Sequence, residues 1–168
     1  MPILRDGALV LRPLTLADVP ALHIAHADPV VHLYWSSPAH ASLQETQAYV
    51  EATLALPGAQ VWAIEEVRTV WGRIGLFSVR EGVGELGIIL RRDAQGRRLA
   101  RRAIELVASH AFEAGLHRLV ADIDPENTAS IRAFEAAGFR REGLLRASWR
   151  THLGLRDTVL LARLKPGL

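Results

Sequence analysis

The chain has 168 residues, the size of one ordinary domain, and 49% of them are hydrophobic while 23% are charged, which excludes an intrinsically disordered segment. It contains no cysteine, which excludes disulfides, thiolate zinc sites and a cysteine nucleophile. The formal net charge is only +2, and this argues against a nucleic-acid-binding protein, because such proteins carry a larger basic excess across one face.

The sequence shows no sign of a membrane or secretory segment. No apolar run approaches the roughly 20 residues that span a bilayer. The start, MPILRDGALVLRP, lacks the long apolar stretch of a signal peptide. We therefore expect a soluble, cytoplasmic protein with no membrane partner.

The first half of the chain is predicted to hold one strand, then two helices, then two strands. Pro20 is compatible with a helix only in the first turn. Ser42 and Glu45 have the spacing of a capping box, in which each side chain accepts a hydrogen bond from the other residue's backbone. The predicted elements are a strand at 9–14, helices at 16–27 and 42–56, and strands at 61–66 and 70–79 joined by a tight turn at Arg68-Thr69.

The second half has the pattern of a strand–helix–strand unit. A strand at 85–90 is followed by a helix at 99–114 and a strand at 118–124, and a crossover of this length makes the two strands parallel. The helix at 99–114 ends at Gly115, and a last helix at 128–137, capped at its start by Asn127, precedes two strands, near 139–150 and at 158–162. These patterns predict a single α+β domain, residues 1–168, with a mixed, mainly antiparallel sheet flanked by helices.

A basic segment lies between the strand at 85–90 and the helix at 99–114. Its sequence, RRDAQGRRLARR at 91–102, holds six of the twenty basic residues. Backbone N–H groups at a helix start have no partner within the helix, and the helix dipole favours an anion there. Since Gly96 and Ala100 allow the backbone to approach a ligand closely, the segment predicts a phosphate site.

These residues resemble the GNAT superfamily of acetyl-CoA-dependent N-acetyltransferases. The pyrophosphate loop of that family has the pattern Gln/Arg-x-x-Gly-x-Gly/Ala, which Gln95, Leu99 and Ala100 match. Residues 127–139, NTASIRAFEAAGF, resemble the family's Asn-x-x-Ser-x-x-x-(Tyr/Phe)-Glu-x-x-Gly-Phe segment. Further likeness along the chain, including Leu11-Arg12-Pro13-Leu14, is to the RimJ/RimL branch, which acetylates the N-termini of ribosomal proteins.

The resemblance implies a GNAT fold in which the parallel strands 85–90 and 118–124 splay apart and admit acetyl-CoA between them. Strand backbone would pair with the pantetheine arm, loop backbone and arginines would hold the pyrophosphate, and Asn127 would bind the pantetheine. Phe134 stands where many relatives carry a tyrosine acid, and since a phenyl ring has no proton to donate, it could only pack. The implied cofactor-binding residues are Ile88, Ile89, Leu90, Gln95, Gly96, Arg97, Arg98, Leu99, Ala100, Arg101, Asn127 and Phe134.

Two residues are the implied catalytic groups. Ser130 would protonate the departing thiolate of coenzyme A, and Glu85 would remove a proton from the amine, directly or through water. Each has a plainer interpretation, as an early-helix serine and as a glutamate facing solvent. His110 and His117 are placed as structural or surface residues, and the seven histidines show no metal-ligand spacing with carboxylates, so no metal is predicted.

Arg98 departs from the family pattern, which has glycine at its position. Glycine permits close backbone approach and a positive φ, which costs other residues roughly 1 kcal/mol or more. Either Arg98 keeps a right-handed helical backbone with its side chain swung outwards, or the loop is distorted and the site is lost. We expect the first, because the other motif residues are retained.

Three questions stay open at this stage. The domain could bind acyl-CoA as a regulatory ligand without turnover, or its arginines could contact nucleic acid, although no interleaved side chains suit base contact. The acceptor could be a protein N-terminus, a polyamine, an aminoglycoside or a small amino-acid-like toxin, with residues 32–38 helping to bind it. The resemblance also implies that two copies can form a homodimer.

Overall fold

The computed structural model describes all residues from Met1 to Leu168. The helices are α1 Val19–His26, α2 Leu43–Leu54, α3 Leu99–Glu113 and α4 Thr128–Ala136. The strands are β1 Leu4–Asp6, β2 Leu9–Pro13, β3 Gln60–Glu66, β4 Thr69–Arg80, β5 Val83–Leu90, β6 Arg118–Ile123, β7 Arg140–Thr151 and β8 Gly154–Leu164.

The eight strands form one sheet in the order β1-β2-β3-β4-β5-β6-β8-β7. Every neighbouring pair is antiparallel except β5 and β6. This confirms the α+β fold, with its single parallel pair. None of the helices is long and apolar enough to serve as a membrane span.

Helices cover both faces of the sheet because strand side chains alternate between the faces. In β3, Trp62 and Ile64 enter the large core beneath α3, while Val61 and Ala63 enter the smaller core beneath α1 and α2. All four side chains are buried. The sheet therefore separates two cores, one beneath α3 and one beneath α1 and α2.

Local signals set several element ends as expected. Pro20 lies in the first turn of α1, and Asn127 caps α4 by accepting the backbone N–H of Ser130 at 3.3 Å. The capping box at Ser42 is half correct: the serine accepts from the Glu45 N–H, but the Glu45 carboxylate accepts from the N–H of Ala41.

The remaining differences from the predicted elements are small. Strand β1 was missed because three residues are too few to show a period. The tight turn between β3 and β4 lies at Val67 and Arg68, one residue earlier than predicted, and both residues have positive φ. The last two strands form a hairpin that is longer than the sequence pattern indicated.

Candidate active site

Strands β5 and β6 separate soon after they meet. Their pairing joins Val83–Glu85 to Arg118–Val120 and then stops, whereas β5 stays paired to β4 up to Leu90. The β6-facing backbone edge of residues 86–90 therefore has no strand partner. Such an edge can pair with an extended ligand by adding a strand to the sheet, as expected for Ile88, Ile89 and Leu90.

A pocket of about 200 Å³ opens where the two strands separate. Five of the predicted residues line it, namely Glu85, Ile88, Asn127, Ser130 and Phe134. The structure thus brings together the two proposed catalytic side chains and the proposed pantetheine ligand. Sequence reasoning assigned no role in the site to the lining residues Asp122, Asp124, Trp149, Thr151, Arg156 and Thr158.

Two carboxyl groups face this pocket from the two separating strands. Glu85 and Val120 are partners in the parallel register, and Asp122, two residues further on, projects to the same face of the sheet. Burial raises the pKa of Glu85, and the negative charge of Asp122 raises it further. Loss of hydration also raises the pKa of Asp122. A raised pKa makes a carboxylate a stronger base once it is ionised.

A third carboxyl group, Asp124, is instead stabilised in its ionised form. Arg156 binds both of its oxygens, at 2.8 and 3.0 Å, and also contacts Glu126 at 2.9 Å. Burial is the largest single influence and opposes ionisation of Asp124, but the hydrogen bonds from Arg156 and from the Glu126 N–H, together with the charge of Arg156, outweigh it, and the pKa lies below its ordinary value. Asp124 is therefore a structural anion, and Glu85 and Asp122 are the pocket carboxyl groups whose proton affinity is raised.

Ser130 and Asn127 are presented by the start of α4. The side-chain oxygen of Asn127 accepts the Ser130 N–H, so the cap uses the oxygen only. The side-chain NH₂ of Asn127 has no acceptor within the protein and can donate to a ligand. The capping interpretation and the ligand-binding interpretation of Asn127 are thus compatible.

Phe134 packs as the sequence led us to expect. Its side chain is 2% exposed, and its ring meets that of Phe139 edge-on with 5.0 Å between centroids. A phenyl ring has no proton to donate, so any acid that serves the pocket must be another group.

Five of the six arginines in the basic segment are paired with carboxylates inside the fold. The pairs are Arg91 with Asp93, Arg92 with Asp28, Arg97 with Glu66, Arg101 with Glu105, and Arg102 with both Asp6 and Glu66. Arg98 alone has no such partner. Arg97 also lies over the ring of Trp71, 4.1 Å from its centroid. The segment therefore presents much less free positive charge than its sequence suggests.

The free hydrogen-bond donors of the basic segment are the N–H groups of its backbone. The six consecutive N–H groups of residues 96–101 donate to no acceptor in the protein, and the first donor of α3 with a partner is Arg102, to the carbonyl of Arg98. Gly96 has φ +79°, and no atom lies within 4 Å of where a Cβ would stand. Leu99 is buried and anchors the helix start. A run of free N–H groups at a helix start is an anion site.

The expected conformation of Arg98 is wrong. Its φ is +58° and its ψ is +15°, which is the left-handed conformation and not the right-handed helical one. The turn into α3 therefore imposes the backbone that glycine adopts at low cost, and Arg98 adopts it at a cost of about 1 kcal/mol. The exposed side chain leaves the backbone donors on either side of it uncovered.

One wall of the pocket comes from the loop between α1 and α2. Tyr34, Trp35 and Ser36 of this loop line the pocket. The loop is tied to the β7–β8 turn, because the N–H of His152 donates to the carbonyl of Ser36 at 3.0 Å. Residues from the N-terminal half therefore do form part of the pocket, as expected for 32–38.

Comparison with known proteins agrees with this geometry. Residues 8–140 match the family described as acetyltransferase (GNAT) domain. The uncharacterised N-acetyltransferase p20 of Bacillus licheniformis is 28% identical over 173 residues, which cover 98% of this chain and 97% of that protein.

Solved structures show the same likeness. A protein of T. thermophilus assigned as an acetyltransferase is 34% identical with a TM-score of 0.88, over 98% of this chain and 90% of that one. The RimL ribosomal L7/L12 α-N-protein acetyltransferase, solved with coenzyme A, is 20% identical with a TM-score of 0.87 over 97% and 98% of the chains, which at this identity shows a shared fold. The fold, the family match and the named relatives agree, and this chain belongs to the GNAT family of N-acetyltransferases.

Proposed function

We propose that residues 1–168 act as one domain that transfers the acetyl group of acetyl-CoA to a primary amine bound beside Glu85 and Asp122. The observation that carries the proposal is the convergence of three features on the gap between β5 and β6. These are the free edge of residues 86–90, the six free N–H groups of residues 96–101, and the pocket that holds Glu85 and Ser130.

Acetyl-CoA suits these features by its chemistry. Its pyrophosphate is an anion that the N–H groups of residues 96–101 can bind. These N–H groups are better suited to bind it than the arginines, which are already paired with carboxylates. The amide groups of pantetheine match the unpaired edge of β5 and the side-chain NH₂ of Asn127. When bound, acetyl-CoA supplies a thioester carbonyl that an amine can attack. We infer that Arg98 adds charge near the phosphates from outside the loop.

Glu85 and Ser130 supply the proton transfers in the proposed reaction. Glu85, directly or through a water molecule, takes a proton from the substrate ammonium, which frees the nitrogen lone pair for attack. As the amide bond forms and the carbon–sulfur bond breaks, the nitrogen gives up a second proton to water, from which Ser130 regains the proton that it donates to sulfur. Ser130 donates a proton to the thiolate sulfur, so the products are the N-acetylated amine and the free thiol of coenzyme A.

The acceptor is inferred from the charge of the pocket. Glu85 and Asp122 are not paired with any arginine or lysine, whereas Asp124 is. A cationic amine restores charge balance beside them, and the aromatic rings of Tyr34, Trp35 and Trp149 can contact its carbon chain. A protein α-amine, as in the RimJ/RimL branch, and a small amine both fit this description. The homodimer and the cytoplasmic location stay predictions from the sequence.

The test is a thiol-release assay with acetyl-CoA and four acceptor classes: N-terminal peptides, polyamines, aminoglycosides and amino-acid-like amines. We expect one class to release free thiol at a rate that depends on amine concentration, with an equal amount of N-acetylated product by mass spectrometry. Acetyl-CoA alone should stabilise the fold by about 2.7 kcal/mol at a hundredfold excess over its dissociation constant. Binding without thiol release for any class would instead support a regulatory acyl-CoA-binding domain.

A further inference from the structure

Three histidines that are far from the reaction pocket's carboxyl groups in sequence lie together behind its aromatic wall. His26 is the last residue of α1, His32 lies in the following loop, and His40 lies just before α2. His26 is 0% and His32 is 1% exposed. Nitrogen atoms of the three rings that are able to bind a metal all lie within 4.8 Å of one another.

The closest pair of ring nitrogens has a spacing that suits a shared metal ion. Nδ1 of His26 is 2.9 Å from Nε2 of His32. Two ligands at 2.0–2.1 Å on a tetrahedral zinc ion are about 3.3 Å apart, so the pair needs to open by only a few tenths of an ångström. The third ring, His40, stacks on His26 with 4.8 Å between centroids.

In His32 and His40, the ring nitrogen outside the cluster is hydrogen-bonded, as it usually is in histidine metal ligands. Nδ1 of His32 donates to the carbonyl oxygen of Ser37 at 3.2 Å, which leaves a lone pair on its Nε2. Nδ1 of His40 is 2.9 Å from the hydroxyl of Thr46, and that hydroxyl can accept from His40 while it donates to His23. Such outer hydrogen bonds fix the ring orientation and tautomer of metal ligands.

The ring of His26 has one polar contact within the protein, between its Nδ1 and Nε2 of His32. Its other nitrogen, Nε2, is buried without any hydrogen-bond partner. A metal ion on Nδ1 leaves the ring proton on this Nε2, so the metal would take the place of the contact with His32 and would not supply the partner that Nε2 lacks. The three convergent ring nitrogens are thus the feature that points to a metal.

We infer that His26, His32 and His40 form a zinc site. Three imidazoles without a carboxylate or a thiolate suit Zn²⁺, Ni²⁺ or Cu²⁺ and do not suit Mg²⁺ or Ca²⁺, which prefer oxygen ligands. A zinc ion bound by three histidines keeps a fourth coordination position for water. This site was not expected from the sequence, because its ligands are six and eight residues apart and match no known spacing.

The role of the ion is to hold the loop of residues 27–42 in place. This loop has no strand or α-helix of its own, and its ends meet where the His40 N–H donates to the carbonyl of His26 at 2.8 Å. Trp35, which lines the reaction pocket, stacks on His32 with 5.5 Å between centroids. Zinc therefore fixes His32, which packs behind Trp35 in the wall of the pocket, and so stabilises the pocket from outside.

Arg73 sets a limit on the affinity. The residue is 2% exposed, and its guanidinium has no carboxylate partner and lies over the rings of Tyr49 and Trp35, which also contact His26. Its positive charge opposes that of zinc. Arg73→Met should consequently tighten zinc binding, since it removes the repulsion and keeps an apolar side chain of similar length.

The experiment uses tag-free full chain from which metal has been removed by a chelator. Equilibrium dialysis against zinc followed by elemental analysis should give one zinc per chain, with a raised midpoint of thermal unfolding. His32→Gln and His40→Gln should each weaken binding by more than about 100-fold, since even the outer partners of ligands are worth 10–100-fold. The matched control, His117→Gln, removes an exposed histidine outside the cluster and should bind as the parent does.

The outcomes separate the site from a hydrogen-bonded group of rings. A parent chain that holds no stoichiometric zinc, or glutamine variants that bind zinc like the parent, would overturn the inference. An Arg73→Met variant with unchanged affinity would also contradict it, because the metal would then lie elsewhere. None of these measurements depends on acetyl transfer, so they stand apart from the proposed function.

Discussion

Glu85 and Asp122 face the same pocket from two strands that separate at that point, and neither has a basic side chain as its partner. After burial, the charge of Asp122 is the second cause that raises the pKa of Glu85. The fold thus keeps two carboxyl groups close together without neutralising them. This arrangement costs stability and is typical of sites that bind a cation or move a proton.

Asp122→Asn should shift the pH dependence of catalysis. Removal of the negative charge favours the ionised form of Glu85, so the pKa of Glu85 falls and the acid-side inflection of kcat/KM moves to lower pH. The measurement is the pH–rate profile of the variant beside that of Glu113→Gln, which removes an exposed carboxylate from the far end of α3. An inflection that stays in place or moves to higher pH would exclude Glu85 as the titrating base.

Glu85→Gln should lower activity and raise stability at neutral pH. Because the pKa of Glu85 is raised in the folded state, folding disfavours its ionised form. That penalty is absent below the ordinary pKa of glutamate and is complete above the raised one. The gain in the melting temperature of the variant should therefore be present at pH 7 and shrink as the pH falls to 4. A variant less stable than the parent at pH 7 would contradict the assignment.

Ser130→Ala should lower kcat by about 10²–10⁴-fold if the hydroxyl protonates the leaving thiolate. Its N–H, which caps α4 through Asn127, is kept in the variant, so the helix start and coenzyme A affinity should change little. Steady-state kinetics and calorimetric titration with coenzyme A separate the two effects. Turnover equal to that of the parent would remove Ser130 from the mechanism.

Arg98→Gly and Arg98→Ala form a matched pair that separates backbone strain from charge. Glycine relieves the positive φ and should raise the free energy of unfolding by about 1 kcal/mol, while alanine keeps the strain and should not. Both variants remove the side chain, and both should bind coenzyme A within about tenfold of the parent, because the backbone donors remain. Urea unfolding and calorimetry measure the two quantities.

Two results would count against this account of Arg98. If the glycine variant alone bound coenzyme A, the left-handed backbone or the Cβ at position 98 would be blocking the site in the parent, because the alanine variant also lacks the arginine side chain. If both variants lost binding, the charge of Arg98 would be the main contact and the N–H groups of the loop a minor one.

The strand–loop–helix–strand core of the fold could be predicted because its signals are local. The apolar run in 85–90, the apolar spacing in α3 and the caps at Asn127 and Gly115 each depend on neighbouring residues only. Positive φ at Arg98 could not be predicted from propensity, since the path of the chain from β5 into α3 decides it and overrides the preference of the residue.

The rest of the site needed the tertiary structure. Asp122 looks like an ordinary solvent-facing strand residue until β5 and β6 are seen to separate beside it. The basic segment was predicted to carry free charge, yet five of its arginines meet carboxylates, and these include Asp28 and Glu66, which lie far away in the sequence. The histidine cluster joins a helix end and two loop positions, and no periodic pattern links them.

The central claim is that the backbone N–H groups of residues 96–101 hold the pyrophosphate and so place the thioester at the pocket. The most direct measurement is a titration with coenzyme A followed by the backbone amide resonances of the ¹⁵N-labelled chain. The account predicts that the amides of 96–101 shift most strongly, those of 86–90 shift with them, and those of the Val67-Arg68 turn do not move. Coenzyme A that binds while the amides of 96–101 keep their positions would contradict it.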